Sequence, residues 1–215
     1  MKTFGYGEDA LNLWALTNQM EVFLDCLEDP SSQADAVLFF RPSFGRQGSN
    51  PVQPGGTADS SQFGEFDAIV GTPVGVYLIE AKWSRSTEIE GDAICLRSEQ
   101  IRRHQLFRTY LTAWHVHKPT NWLEFHTVQG GFLQLEEIRY PIAPPGSQLS
   151  RNLETVLGGL GECSASVIDV VLYLRVTEGR SVKVVRNVGF KLVTIDCPSV
   201  AGFIELTAAS SDVQP

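Results

Sequence analysis

Residues 65–83 read EFDAIVGTPVGVYLIEAKW. Two apolar runs, AIV and VYLI, flank a Gly-Thr-Pro-Val-Gly turn, which is the pattern of a β-hairpin. A carboxylate stands in each arm, Asp67 and Glu80, and Lys82 follows Glu80 by two residues. With arms at 65–71 and 76–82, pairing Gly71 with Val76 and Val70 with Tyr77 sets Asp67 opposite Glu80. Opposed residues of an antiparallel pair have Cβ atoms about 4.5–5.5 Å apart on one face. Strand alternation then adds Lys82 to the face of Glu80 and turns Ala81 away.

Facing carboxylates repel unless something positive lies between them. Lys82 supplies part of that compensation, and a divalent cation would supply more. Mg²⁺ suits one or two carboxylates, a backbone carbonyl, waters and a phosphate oxygen; the Ala81 carbonyl is the backbone candidate. Such an ion lowers the pKa of a bound water and neutralises charge building on a phosphoryl oxygen. Lys82 would orient or deprotonate the water, or offset phosphate charge. The competing reading is a plain cross-strand ion pair. Apolar flanks on both faces weigh against it, because they imply burial, where charge is costly.

Outward from the hairpin, residues 8–28 place Leu13, Leu16, Met20, Phe23, Leu24 and Leu27 at helical spacing, and Asp29-Pro30 closes that predicted helix. AVLFF (36–40) predicts a short buried strand. Residues 41–64, rich in Gly, Pro and Ser and without period, predict a long mobile loop. Residues 92–118 predict a long helix ending near Lys118-Pro119. WLEFHTV (122–128) and GFLQLEEI (131–138) predict strands around a Gly-Gly turn. LSRNLETVLGGLGE predicts a short helix, and 166–176 and 182–196 predict further strands. The expectation is one α/β domain, with 1–140 forming the core and 141–215 a C-terminal extension packed on it.

The 215 residues carry a net charge of −8, with 43% hydrophobic and 20% charged residues, an ordinary globular balance. A net of −8 argues against a protein that coats polyanions. The charge is uneven. Residues 1–82 hold four basic against eleven acidic groups, whereas 97–118 hold five basic against one acidic. The basic stretch fits local phosphate contact or a solvated helix face. No apolar run approaches the ~20 residues that span a bilayer, and the N-terminus lacks the apolar segment of a signal peptide. Four widely spaced cysteines, Cys26, Cys95, Cys163 and Cys197, predict free thiols and a reducing, cytoplasmic setting.

Phe66-Asp67 followed by Ile79-Glu80-Ala81-Lys82-Trp83 resembles the signature of the PD-(D/E)xK nucleases, the restriction-endonuclease-like superfamily. Phe66 stands where that signature has proline. The family's α-β-β-β-α-β core, a central mixed sheet flanked by helices, resembles the predicted element order from residue 8 to about 128; C-terminal strands would extend it. The resemblance implies a Mg²⁺-dependent enzyme, with Mn²⁺ able to substitute, that hydrolyses phosphodiester bonds, in DNA before RNA. It implies metal binding by Asp67, Glu80 and the Ala81 carbonyl, and water activation by Lys82.

Many members also carry a glutamate on the first helix, for which Glu8 is the candidate here; its other reading is a first-turn glutamate favoured by the helix dipole. Members of the RecB-like branch place a glutamine on the helix after the lysine strand, matched here by Gln100 or, failing that, Gln105. Arg102, Arg103 and Arg108 on the same helix are candidates for substrate phosphates. The acidic balance leaves room for a homodimer or partner protein to help hold substrate. The alternative from another class is a nucleic-acid-binding or scaffold module of the same fold that does not cut.

Overall fold

The structure is a computed structural model that describes residues 2–45, 56, 61–163, 166–176, 181–199 and 202–206. The chain begins with β1 (Phe4–Tyr6), α1 (Gly7–Asn18), α2 (Met20–Cys26), β2 (Val37–Phe40) and β3 (Ser43–Phe44). Next come β4 (Gly64–Glu65), β5 (Ala68–Gly71), β6 (Val76–Trp83), β7 (Ile89–Glu90) and β8 (Ala93–Ile94). The middle holds α3 (Ser98–His117), α4 (Trp122–Val128), β9 (Phe132–Leu135), β10 (Ile138–Pro141) and α5 (Gln148–Gly159). The last elements are β11 (Val167–Val176), β12 (Val184–Val185), β13 (Phe190–Cys197) and β14 (Phe203–Glu205).

This is a mixed α/β fold around a five-stranded sheet of order β13-β11-β6-β5-β2. The sheet is mixed in sense: β2 and β5 run antiparallel, and β11 and β13 run parallel. At the β5–β6 turn the Thr72 N–H donates to the Gly75 carbonyl at 2.8 Å. Among the described residues no helix is long and apolar enough to cross a membrane.

The chain divides into two compact units. One comprises residues 37–78 and 97–168. Its α3 buries Leu106, Phe107, Tyr110, Leu111 and Trp114, a stripe at the i, i+1, i+4, i+5, i+8 positions of a single helix face. Rings pack on that stripe. Phe107 stacks on Phe44 at 5.3 Å between centroids and meets Phe66 edge-on at 5.4 Å. Trp114 lies 5.2 Å from Phe125, and Tyr110 stacks on Trp122 at 6.1 Å. The other unit comprises residues 1–36, 79–96 and 169–215. There α1 buries Leu11, Trp14 and Ala15, and Val170 through Leu174 of β11 are buried on both faces of the strand. Such two-sided burial is why that run reads as continuously apolar instead of alternating.

Several expectations need correction. WLEFHTV is helix α4, not a strand. The Asn121 side chain accepts the Glu124 N–H at 3.0 Å, and Trp122 and Phe125, three apart, are both buried. A formed N-cap and an i, i+3 apolar pair here outweigh the β-propensity of the run. The Gly-Gly pair therefore joins a helix to β9, whose partner is β10. The next strand of the central sheet after α3 is consequently β11, well beyond residue 128.

The helix expected over 92–118 starts at Ser98, and Ile94 belongs to β8 instead. The helix expected over 8–28 is broken at Gln19, whose φ of −130° and ψ of 26° are not helical. The first hairpin arm is shorter than expected: β5 begins at Ala68, and Asp67 sits in a bend just before it. The ends of the expected 41–64 loop form the β3–β4 pair. Residues 46–55 and 57–60 of that loop lie outside the described residues.

Phe107 is fully buried between two other rings, so Phe107→Ala is expected to cost about 3–5 kcal/mol. Urea unfolding with an unchanged m-value measures it.

Candidate functional site

The charged end of β6 lies in the unit formed by residues 1–36, 79–96 and 169–215. Glu80 is 1% exposed and Lys82 6% exposed, with Ala81 fully buried between them. Burial of two charged groups two residues apart is costly unless each is paired. Lys82 meets that requirement through Glu88, whose Oε2 lies 3.0 Å from the Lys82 ammonium. Glu88 reaches it because the chain turns directly after β6: the Ser86 N–H donates to the Trp83 carbonyl at 2.8 Å. The Cys95 N–H then donates to the Glu88 carbonyl at 3.0 Å, which ties the turn to the chain following β8.

Glu8 arrives from the first turn of α1. Its Oε2 accepts the Trp83 N–H at 3.1 Å, so the helix is pinned to the strand one residue past Lys82. Burial pushes the Glu8 carboxyl above the ordinary carboxylate value. Attraction to Lys82 and the Trp83 hydrogen bond oppose that rise, and the negative charges of Glu88 and Asp9 add to it. Glu8 therefore feels both members of the Lys82–Glu88 pair. Behind the strand end, Ser84 Oγ accepts the Val176 N–H at 3.2 Å and the Tyr173 hydroxyl at 3.3 Å.

Asp67 belongs to the other unit. It is half-buried, and its carbonyl accepts the Arg41 N–H at 3.2 Å, continuing the β2–β5 ladder by one rung. The neighbouring Phe66 is fully buried, with the His104 ring 4.9 Å away and the Arg103 guanidinium 5.3 Å over its face. His104 is thus a core histidine, 1% exposed. Gln100 caps α3, its side-chain oxygen accepting the Arg97 N–H at 2.8 Å; Gln105 is exposed on the same helix. The three helix arginines are half-buried. Arg102 lies 5.5 Å over the Tyr140 ring, and Arg108 donates to the Val167 carbonyl at 2.8 Å.

Of the residues singled out in the sequence, Glu8, Glu80 and Lys82 share one unit, together with Glu88, which sequence spacing did not single out. Glu88 lies six residues beyond Lys82 in a polar turn, outside any strand or helix period, and only the fold back of that turn exposes its role. Among the described residues no group of three or more His, Cys, Asp or Glu side chains is arranged to hold a metal ion. The carboxylates as they stand do not form a ready-made Mg²⁺ cage. All four cysteines are free thiols. No family model, no curated protein and no solved structure matches this chain.

Two outcomes test this arrangement. Lys82→Met leaves Glu88, whose side chain is 12% exposed, without its cation, and is expected to cost about 3 kcal/mol in urea unfolding. Adding Glu88→Gln should recover part of that loss. Glu8→Gln keeps an oxygen acceptor for the Trp83 N–H while removing a charge that burial disfavours. A carboxyl whose folded pKa is raised stabilises the fold below its unfolded pKa and loses that contribution as pH rises through the folded value. The melting temperature of Glu8→Gln relative to wild type should therefore increase from acid to neutral pH, as calorimetry across that range would show.

Proposed function

We propose that this protein is a phosphodiester-hydrolysing nuclease of the PD-(D/E)xK kind, acting on nucleic acid and on DNA in particular. The observation that carries the reading is the burial of Glu80 and Lys82 on one strand end, with Glu88 and Glu8 gathered around them. A fold that needed only stability would do as well or better with apolar side chains at such positions. Buried charges of both signs beside one another, with the Glu8 carboxyl pushed up by burial, are characteristic of working sites. The mixed central sheet is compatible with the reading: β2, β5 and β6 follow α1 and neighbour one another, and β11 lies beside β6, with α4, β9, β10 and α5 intervening between α3 and β11.

In this reading Lys82 is the cation that orients the attacking water and offsets negative charge on the scissile phosphate. Glu88 holds the Lys82 ammonium in place, and Glu8 holds the backbone on its far side. Mg²⁺, or Mn²⁺ in its stead, belongs to the proposal as an ion completed by the substrate. Mg²⁺ is commonly bound by one or two carboxylates together with phosphate oxygens and waters instead of an all-protein cage. Glu80 and Glu8 are the carboxylates beside Lys82, with Asp67 and the Ala81 carbonyl as further candidates. When bound, such an ion would acidify a water and neutralise charge on the phosphoryl oxygens. The competing reading is a module of the same fold that binds nucleic acid without cutting it.

A cleavage panel decides between them. Wild type, Asp67→Ala and Lys82→Ala are incubated with single- and double-stranded DNA and RNA, with Mg²⁺, Mn²⁺ or EDTA. Metal-dependent cleavage is expected for wild type, falling roughly 10²–10³-fold in Lys82→Ala, the size of effect seen when one charge-stabilising group is removed. Folded wild type that cuts none of the substrates would overturn the reading, and binding that survives Asp67→Ala would then favour the non-cutting module.

A further inference from the structure

The β1–β14 ribbon has an unusual outer face. It is antiparallel, with Phe4 opposite Glu205, Gly5 opposite Ile204 and Tyr6 opposite Phe203. Alternation sends Gly5 and Ile204 inward and the remaining residues outward. The inward fit is tight, since a Cβ on Gly5 would stand 2.5 Å from the Ala10 Cβ of α1. The outward face of such a ribbon is ordinarily polar. Here it carries Phe4, Tyr6 and Phe203, exposed by 58, 55 and 51%. Single exposed apolar residues need no explanation, but contiguous ones do.

These rings continue into the residue that follows Lys82. Tyr6 lies 4.9 Å from Phe203 and meets Trp83 edge-on at 6.2 Å. The exposed Arg85 places its guanidinium 5.3 Å over the Trp83 ring. Gly202 makes the arrangement possible. It has φ +89°, and a Cβ there would lie 3.1 Å from Tyr6 and 3.3 Å from Trp83. Its carbonyl also accepts the Gly7 N–H at 3.1 Å, which fixes the ribbon against the start of α1.

We infer that Phe4, Tyr6, Phe203, Trp83 and Arg85 form a stacking platform for unpaired nucleobases, which leads a single-stranded segment to the Lys82 cluster. The inference rests on the nuclease reading for its destination, though the platform itself stands on its own geometry. Exposed rings with a guanidinium among them offer faces for successive bases and a cation for the intervening phosphate. Bases in a duplex are already stacked and paired, so exposed ring faces set at angles to one another select those that are not. The platform and the charged cluster are held by the same chain positions: Tyr6 immediately precedes α1, which carries Glu8, and the Trp83 N–H is the group Glu8 accepts. Trp83 directly follows Lys82 at the end of β6, with its ring on the opposite face by strand alternation, so a segment stacked on Tyr6 and Trp83 would reach the cluster around the end of that strand.

The test measures binding of a short oligodeoxythymidylate and of a blunt DNA duplex of equal length, in EDTA so that no cleavage intervenes. The single strand is expected to bind more tightly and to quench tryptophan fluorescence. Trp14, Trp114 and Trp122 are buried, so the quench reads the half-buried Trp83. Tyr6→Ala with Phe203→Ala alters exposed side chains and should weaken single-strand binding roughly tenfold per ring lost. Tyr6→Phe with Phe203→Tyr, which keeps both rings, should retain it. Equal affinity in the double-alanine variant, preference for the duplex, or absence of binding and quench in wild type would each overturn the inference, binding without a single-strand preference pointing to another partner, such as a second copy of this chain, for the aromatic face. The cleavage panel separates the two proposals. Unaltered cleavage by the double-alanine variant removes the platform and leaves the nuclease, whereas ring-dependent binding by a protein that never cuts removes the nuclease and leaves the platform.

Discussion

The ion pair between Lys82 and Glu88, 3.0 Å apart, is the constraint on which the end of β6 depends. Lys82 points from a strand that is otherwise apolar and buried except for Glu80, on the same face and 1% exposed, and the half-buried Trp83 at its end. Withdrawing an ammonium from water costs several kcal/mol, and only a well-placed anion with further hydrogen bonds offsets it. The turn over Ser84–Glu88, the anchoring of Glu88 by the Cys95 N–H and the seating of α1 through Glu8 and Trp83 all position groups around that one cation.

The two units solve burial differently. In the unit containing α3 the core is aromatic, and rings from α3, α4 and the segments flanking β3 and β5 interlock at centroid distances near those favoured by offset and edge contacts. Rings and the aliphatic stem of an arginine fill the same space, which is why Arg102 and Arg103 lie over aromatic faces. In the unit containing α1 the core is mainly aliphatic, from β11, β13 and the two short helices. Three of its aromatic residues, Tyr6, Phe203 and Trp83, meet at the rim, while Trp14, Phe23 and Tyr173 are buried.

Much of the fold was legible wherever a period and its punctuation agreed. The apolar arms around Gly71–Gly75, the stripe of α3, the short α5 and the apolar run of β11 all read correctly from residue spacing. Where local signals competed, spacing failed. WLEFHTV combines β-forming residues with an asparagine cap, and the cap prevailed because it satisfies a helix N–H that a strand would not have offered. Asp67 was read as a strand residue because FDAIV is apolar around it. The ladder with β2 instead ends at Ala68, and the chain bends one residue earlier.

For the candidate site, the sequence by itself determined which residues are anomalous. Carboxylates and a lysine within apolar strands are costly wherever those strands go, so Asp67, Glu80 and Lys82 stand out without coordinates. Glu8 was visible as a first-turn acid whose destination could not be known. Only the tertiary structure decided which partner compensates which charge. A side chain's cation or anion is supplied by whatever the fold carries to within a few ångströms, and Glu88 is brought there by a tight turn that has no period to read. The same holds for the aromatic rim: Tyr6, Trp83 and Phe203 are distant in sequence, and pairing of the two ends of the described chain makes them neighbours.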